Sequence, residues 1–344
     1  MIYRTLLSSL MITFFLPVAS AQRDHFPGAP ACAWEGTRQA TDAFIEALLA
    51  PSETIDFLST FPLFTASPNF KYIENGKHIA FLGEESLIHA WPNEVADTLQ
   101  DAYVHSIVDE QDRCTGFVKI IVPLGRGKTG GEGEDMKSVQ ATNATARSYL
   151  AVGAYLEYSY DETRPGLEAV LAEEINLVYA RLQPASSTKL PDNADAENLL
   201  QIMKKEPWGV VGTPEQDNVQ HLQAVAERYL NIVGGEENFQ DSTDVQAVSE
   251  DDSGEELWGK PCSRLEGTVL TVPGETERCG KGLQLPPAGE GKGITDRKWT
   301  VDEALGAVGV VAKDENKGGI STVIELRVEG GKLRYVHQFW ASER

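Results

Sequence analysis

The sequence predicts an α+β fold in which curved antiparallel sheets pack on helices, with one α+β unit following another. Three observations carry that prediction. Two stretches, 34–49 and 215–233, place apolar residues at three- and four-residue steps, the mark of an amphipathic helix. Two tight hairpins are signalled by Asn75-Gly76 and Gly330-Gly331 between strand formers. After each helix comes a run of short apolar segments separated by polar turns, and helices followed by meandering strands suggest a sheet wrapped around helices.

The elements follow in chain order. Ala40, Ala43, Phe44, Ala47 and Leu48 form the apolar stripe of a helix over Trp34 to Leu49. Phe70 to Phe81 reads as a type I′ hairpin, because Asn and Gly accept positive φ at both central positions. Glu85 to Val95 reads as a short helix ending at Pro92 or soon after, and Ala102 to Val108 with Gly116 to Val122 as paired strands. Gly125 to Arg147 is Gly-rich and polar, a disordered insert in this reading. Ser148 to Tyr158 and Leu167 to Leu182 return to strand-like patterning, and Pro184 to Asn198 is a polar loop. Val219, Leu222, Val225, Ala226, Tyr229 and Leu230 make the stripe of a helix over Glu215 to Val233. Gly234 to Glu256 carries nine acidic residues and no basic one, a solvated linker. Strands follow at Arg264 to Val272, Lys298 to Val301, Ala307 to Lys313, Thr322 to Val328 and Lys332 to Trp340. Ser106-Ile107-Val108-Asp109-Glu110 is echoed by Thr300-Val301-Asp302-Glu303. A tandem duplication, with units at 22–206 and 207–344, is the favoured account of the echo, chance the other.

The N-terminus reads as a secretory signal over residues 1–21. Arg4 precedes the apolar run from Leu6 to Val18, and Ala19-Ser20-Ala21 is a small-x-small cleavage site. The run is too short and too interrupted at Pro17 for a membrane span, which needs about 20 apolar residues. Cys32, Cys114, Cys262 and Cys279 all follow the cleavage point, so two disulfides are expected. Three connectivities are open; Cys262–Cys279 would close a short Gly/Pro-rich loop, and Cys32–Cys114 would follow. No C-x-x-C occurs, so no metal site is expected. Asn143-Ala144-Thr145 is a glycosylation sequon. The net charge of −22 repels phosphate backbones and anionic membranes, so no nucleic-acid partner is expected; oligomeric state is left open.

Motifs with chemistry are scarce. Gly125-Arg126-Gly127-Lys128-Thr129-Gly130 resembles a phosphate loop, but Val122 stands where a P-loop needs glycine, and the acidic Glu132 and Glu134-Asp135 follow. Neither G-x-S-x-G nor H-E-x-x-H occurs. Asp109/Glu110 and Asp302/Glu303 are adjacent residues whose side chains diverge on a strand, which favours a turn-forming role over acid–base catalysis. Tyr103-Val104-His105 and Tyr335-Val336-His337 are different. Period-two geometry puts each Tyr beside its His on one strand face, with Leu333 and Phe339 sharing the face of the second pair. Such a His is more often a satisfied core residue; lining a pocket, these residues would supply protons near neutral pH.

Beyond these patterns the chain shows a resemblance. Trp258 to Gly267, Cys279-Gly280, Arg297, Val301-Asp302-Glu303, Gly306-Ala307-Val308 and Leu326 to His337 look like a family of secreted fungal proteins catalogued as a domain of unknown function. Tyr72 to Gly76 and Asp112 to Thr115 resemble the first half of the same family, extending the likeness over most of the mature chain. Lys298-Trp299 departs from the Arg-Tyr usual in relatives. The resemblance implies a cone of the nuclear-transport-factor (NTF2-like) and SnoaL type, a superfamily of cyclases, isomerases, dehydratases and binding modules. On that footing the expected function is a secreted pocket protein for a small hydrophobic metabolite. It would be a cofactor-independent cyclase or isomerase of fungal secondary metabolism, or else a non-catalytic ligand-binding or host-interaction protein. His337 and His105 would act as acid or base, Tyr335 and Tyr103 as orienting hydroxyls, and Arg264 with Glu266 as a polar pair at the rim or a structural salt bridge. A hydrolase, lacking any nucleophile motif, ranks last.

Overall fold

A computed structural model of the chain describes residues 34–49, 65–81, 83–95, 102–109, 114–124, 149–161, 170–182, 196–213, 215–236, 257–267, 269–272, 285–286 and 290–342. The first helix, α1 (Trp34–Leu49), buries Phe44, Ala47 and Leu48. The hairpin of β1 (Thr65–Glu74) and β2 (Lys77–His78) turns at Asn75 and Gly76, whose φ angles of 47° and 77° are the positive pair a type I′ turn requires. α2 (Leu87–Glu94) is capped by Ser86, whose hydroxyl accepts from His89 N at 3.0 Å. β3 (Tyr103–Val108), β4 (Thr115–Pro123), β5 (Tyr149–Tyr160) and β6 (Val170–Leu182) then run as an antiparallel meander.

The second half starts with α3 (Ala196–Met203) and α4 (Val219–Gly234). Asn218 caps α4 by accepting from His221 N at 2.8 Å, and Gly235, with φ of 71°, ends it in the left-handed region. The strands are β7 (Trp258–Glu266), β8 (Val269–Val272), β9 (Ile294–Asp302), β10 (Ala307–Asp314), β11 (Ile320–Glu329) and β12 (Lys332–Trp340). The two sheets have the same internal order: β2-β1-β6-β5-β4-β3 and β8-β7-β12-β11-β10-β9. β3 stops just before Asp109 and β9 at Asp302, so these two carboxylates sit at corresponding ends. Asp302 accepts from Leu305 N at 2.9 Å in a turn, and Glu303 accepts from Val219 N at 2.9 Å.

The expected curved antiparallel cone is not what forms. Among the described residues four α-helices accompany two open sheets, and each sheet is mixed: β1 runs parallel to β6, and β7 parallel to β12. An apolar strand alternates in the same way beside a parallel or an antiparallel neighbour, so periodicity could not show this. Neither sheet curls over a hollow, because the central strands of each are packed on both faces. Val118, Ile120, Leu150, Val152 and Ile175 face α1 and α2 in one core. Val308, Val310, Ile324, Leu326 and Val336 face α4 in another. A third core is the seam where the sheets meet, through Phe117, Ile121, Ala151 and Val178 from one and Val311, Val323, Leu265 and Phe339 from the other. Close approach there requires glycine: a Cβ on Gly153 would come within 2.5 Å of Val323, and one on Gly309 would run into the Phe117 ring.

Other expectations need correction or fall outside the described residues. The polar loop expected to reach Asn198 gives way to α3 from Ala196. The strand expected over Arg264 to Val272 is two strands, β7 and β8. Leu333 does not share the face of Tyr335 and His337, since a bulge skips Arg334 in the pairing with β11 and turns Leu333 toward α4. Residues 1–21, the whole 125–147 insert with Asn143, and the linker beyond residue 236 lie outside the described residues. Both expected disulfides involve Cys32 or Cys279, which also lie outside them. No disulfide joins two described residues, although Cys114 and Cys262 are not free.

Candidate functional site

Strand alternation sends every second residue of β3, β4, β11 and β12 into the seam. On β3 these are Tyr103, His105 and Ile107; on β4, Phe117, Lys119 and Ile121; on β11, Val323 and Glu325; on β12, Tyr335, His337 and Phe339. The chain following α3 adds Glu206 and Trp208. The four His and Tyr candidates of the sequence therefore meet in one place, from two different sheets, and four further groups meet them there.

Glu325 is the hub. Its side chain is fully buried and touches Lys119 Nζ through Oε2. His105 Nδ1 lies 2.5 Å from Oε1, and His337 Nδ1 lies 3.1 Å from Oε2. Lys119 Nζ is also 2.5 Å from His337 Nδ1. The other ring nitrogen of His337 faces Glu206 Oε2 at 2.7 Å, off the line an N–H···O bond needs. Glu206 accepts from Ser263 Oγ and, at 3.2 Å, from Trp208 Nε1. The Trp208 ring covers the cluster, with centroids 4.7 Å from His105, 5.3 Å from His337 and 5.8 Å from Tyr335. Lys119 Nζ stands 5.1 Å from the Tyr103 ring centroid. Tyr103 Oη and His105 Nε2 are buried without a hydrogen-bond partner.

Burial sets the electrostatics. Desolvation alone would raise the Glu325 carboxyl, but Lys119, His105 and His337 outweigh it and hold the group well below the usual carboxylate range. Desolvation pushes Lys119 down from the ordinary lysine range against the pull of Glu325. For His337, burial acts downward, and Glu206 overrides it to give a net upward shift. Glu206 is held low, the charge of His337 outweighing its own burial. Burial pushes the Tyr103 hydroxyl far up, helped by Glu325 and Glu206, so it stays protonated. Among the described residues no group of three or more His, Cys, Asp or Glu is disposed to hold a metal, and the cation beside Glu325 is the lysine itself.

Beside the cluster is a small hollow of about 20 Å³, lined by Ile121, Leu182, Leu200, Met203, Leu265 and Phe339, with Lys119, His337 and Gln338 at its polar end. Arg264 and Glu266 stand apart from it. Arg264 is fully buried, Nε lies 3.1 Å from Glu266 Oε1, and both groups act on Tyr229 of α4 rather than on the seam. Glu325, Lys119, Glu206 and Trp208 were missed from sequence. The signal for two of them was present: a single charge in the middle of an otherwise apolar strand, as in Phe117-Val118-Lys119-Ile120-Ile121 and Val323-Ile324-Glu325-Leu326.

Among the described residues no helix is long and apolar enough to cross a membrane. Comparison with curated proteins finds no match for the chain. The resemblance seen over most of the chain narrows on comparison: residues 245–340, which span β7 to β12, match the family described as Domain of unknown function (DUF8021).

Proposed function

We propose that the chain is a secreted, glycosylated binding protein whose seam cluster joins its two sheets and performs no catalysis. One observation carries this reading. The two histidines nominated from sequence are both held by the buried Glu325 carboxylate, in a place whose hollow is about 20 Å³. That is room for about one water molecule, whereas small-molecule sites run to about 300 Å³ and more. The ligand or host surface it recognises would then contact the exterior of the protein, and a net charge of −22 disfavours nucleic acid and anionic membranes.

A cofactor-independent cyclase or isomerase is the second reading. It is favoured by the apolar wall from Leu182 and Leu200 to Phe339, which ends on Lys119 and His337. Wild type and His337→Ala, each incubated with extracted fungal metabolites, separate the two. Equal retention of a ligand without turnover supports the binding protein. A product formed by wild type and missing with the variant refutes it in favour of the enzyme. Secretion is checked on material from the growth medium, whose N-terminus should be Gln22.

A further inference from the structure

We propose that Lys119 of the first sheet and Glu325 of the second become joined by an isopeptide bond, a covalent staple across the seam. The two side chains come from strands more than 200 residues apart, touch one another, and are sealed from solvent, at 1% and 0% exposure. Amide formation between an amine and a carboxyl group is disfavoured in water mainly because water competes and both groups are charged. Here water is excluded, burial penalises the lysine charge, and the amine is already held against the carboxyl group, whose own charge is relieved by the proton that His337 donates.

The surrounding groups supply the rest of the chemistry. With both ring nitrogens of His337 protonated, Nε2 faces Glu206 and the Nδ1–H is set against Lys119 Nζ at 2.5 Å. An ammonium in that position would oppose N–H to N–H, whereas a neutral amine accepts from Nδ1–H. The downward push of burial on Lys119 acts in the same sense. His337 Nδ1 is also 3.1 Å from Glu325 Oε2, so it can protonate that oxygen. The amine lone pair then attacks Cδ, and the C=O electron pair moves to Oε1, where His105 Nδ1 at 2.5 Å stabilises it. One N–H proton of the amine returns to His337 Nδ1, which passes it to the Oε2 hydroxyl. That hydroxyl leaves as water, and the Oε1 carbonyl re-forms. The sum is amine plus carboxylate plus one proton giving amide plus water, with no oxidant and no other reactant. The adjoining hollow, lined by Lys119 and His337, has the volume of the departing water.

The test is the denatured mass of the full secreted chain after deglycosylation and reduction, followed by a peptide map. Wild type should be lighter than its sequence by one water. Trypsin should fail to cut after Lys119, and a branched peptide should contain both Lys119 and Glu325. Lys119→Arg should run at its full sequence mass with no branched peptide. Because the wild-type map decides the matter alone, a variant that does not fold costs nothing. Two linear peptides carrying unmodified Lys119 and Glu325, or a water lost at any other position, overturn the proposal.

Discussion

Removing Glu325 should harm the protein more than removing Lys119, although they are partners. Glu325→Ala strips the common anion from Lys119, His105 and His337 at once and leaves Glu206 as the remaining carboxylate of the cluster. Breaking a buried ion pair from one side costs about 3–5 kcal/mol, and three buried partners losing their shared carboxylate place this variant near the upper end. Lys119→Met keeps most of the side-chain volume and leaves Glu325 with two imidazole partners. That variant belongs near the lower end, about 3 kcal/mol. The expected gap is about 2 kcal/mol, roughly a 30-fold difference in the folding equilibrium. Any covalent link in wild type drops out, since the comparison is between two variants that both lack it. Urea unfolding at pH 7, followed by tryptophan fluorescence and far-UV circular dichroism with a shared m-value, measures the gap. A Lys119→Met cost equal to or above that of Glu325→Ala would refute the hub role of Glu325.

Stability should peak in mildly acidic solution. His337 has a raised folded value, so its contribution is complete below 6.5 and is lost as pH rises through that folded value. Glu206 has a lowered one, so its contribution is complete above 4.5 and is lost as pH falls through it. The urea midpoint should therefore be highest between these values, and His337→Gln should flatten the alkaline limb; an unchanged limb counts against the Glu206–His337 pair. Gly153→Ala should cost about 1–3 kcal/mol by overfilling the seam against Val323, and Val323→Ala should recover part of the loss. Both are read as shifts in thermal midpoint. Asn218→Ala should cost about 1 kcal/mol by leaving the His221 amide of α4 unpaired, and Asn218→Asp should be nearly neutral in the same melt.

Local chemistry was the legible part of this fold. The Asn75-Gly76 turn, the stripe of α4 and the pairing of β3 with β4 each depend on residues close in sequence. Alternation also placed Tyr103 with His105, and Tyr335 with His337, on shared faces. It failed where a neighbour comes from far away. The parallel placement of β1 beside β6 leaves no mark in either strand, and neither does the meeting of Lys119 with Glu325. The bulge at Arg334 broke the alternation that had put Leu333 with Tyr335, because one extra residue reverses the face of everything beyond it. The fully buried strands were harder still, since β4 is covered by helices on one side and by the second sheet on the other.

The parallel pairing of β7 with β12 has a consequence for synthesis. β12 lies between β7 and β11, so the strand made after all the others of its sheet is an interior one. Until it emerges from the ribosome, β7 and β11 each present a bare row of amides and carbonyls to the surroundings. The half-made product is thus open to mispairing with other nascent chains, and a frameshift or proteolytic nick removing residues 332–340 would split the sheet through its middle.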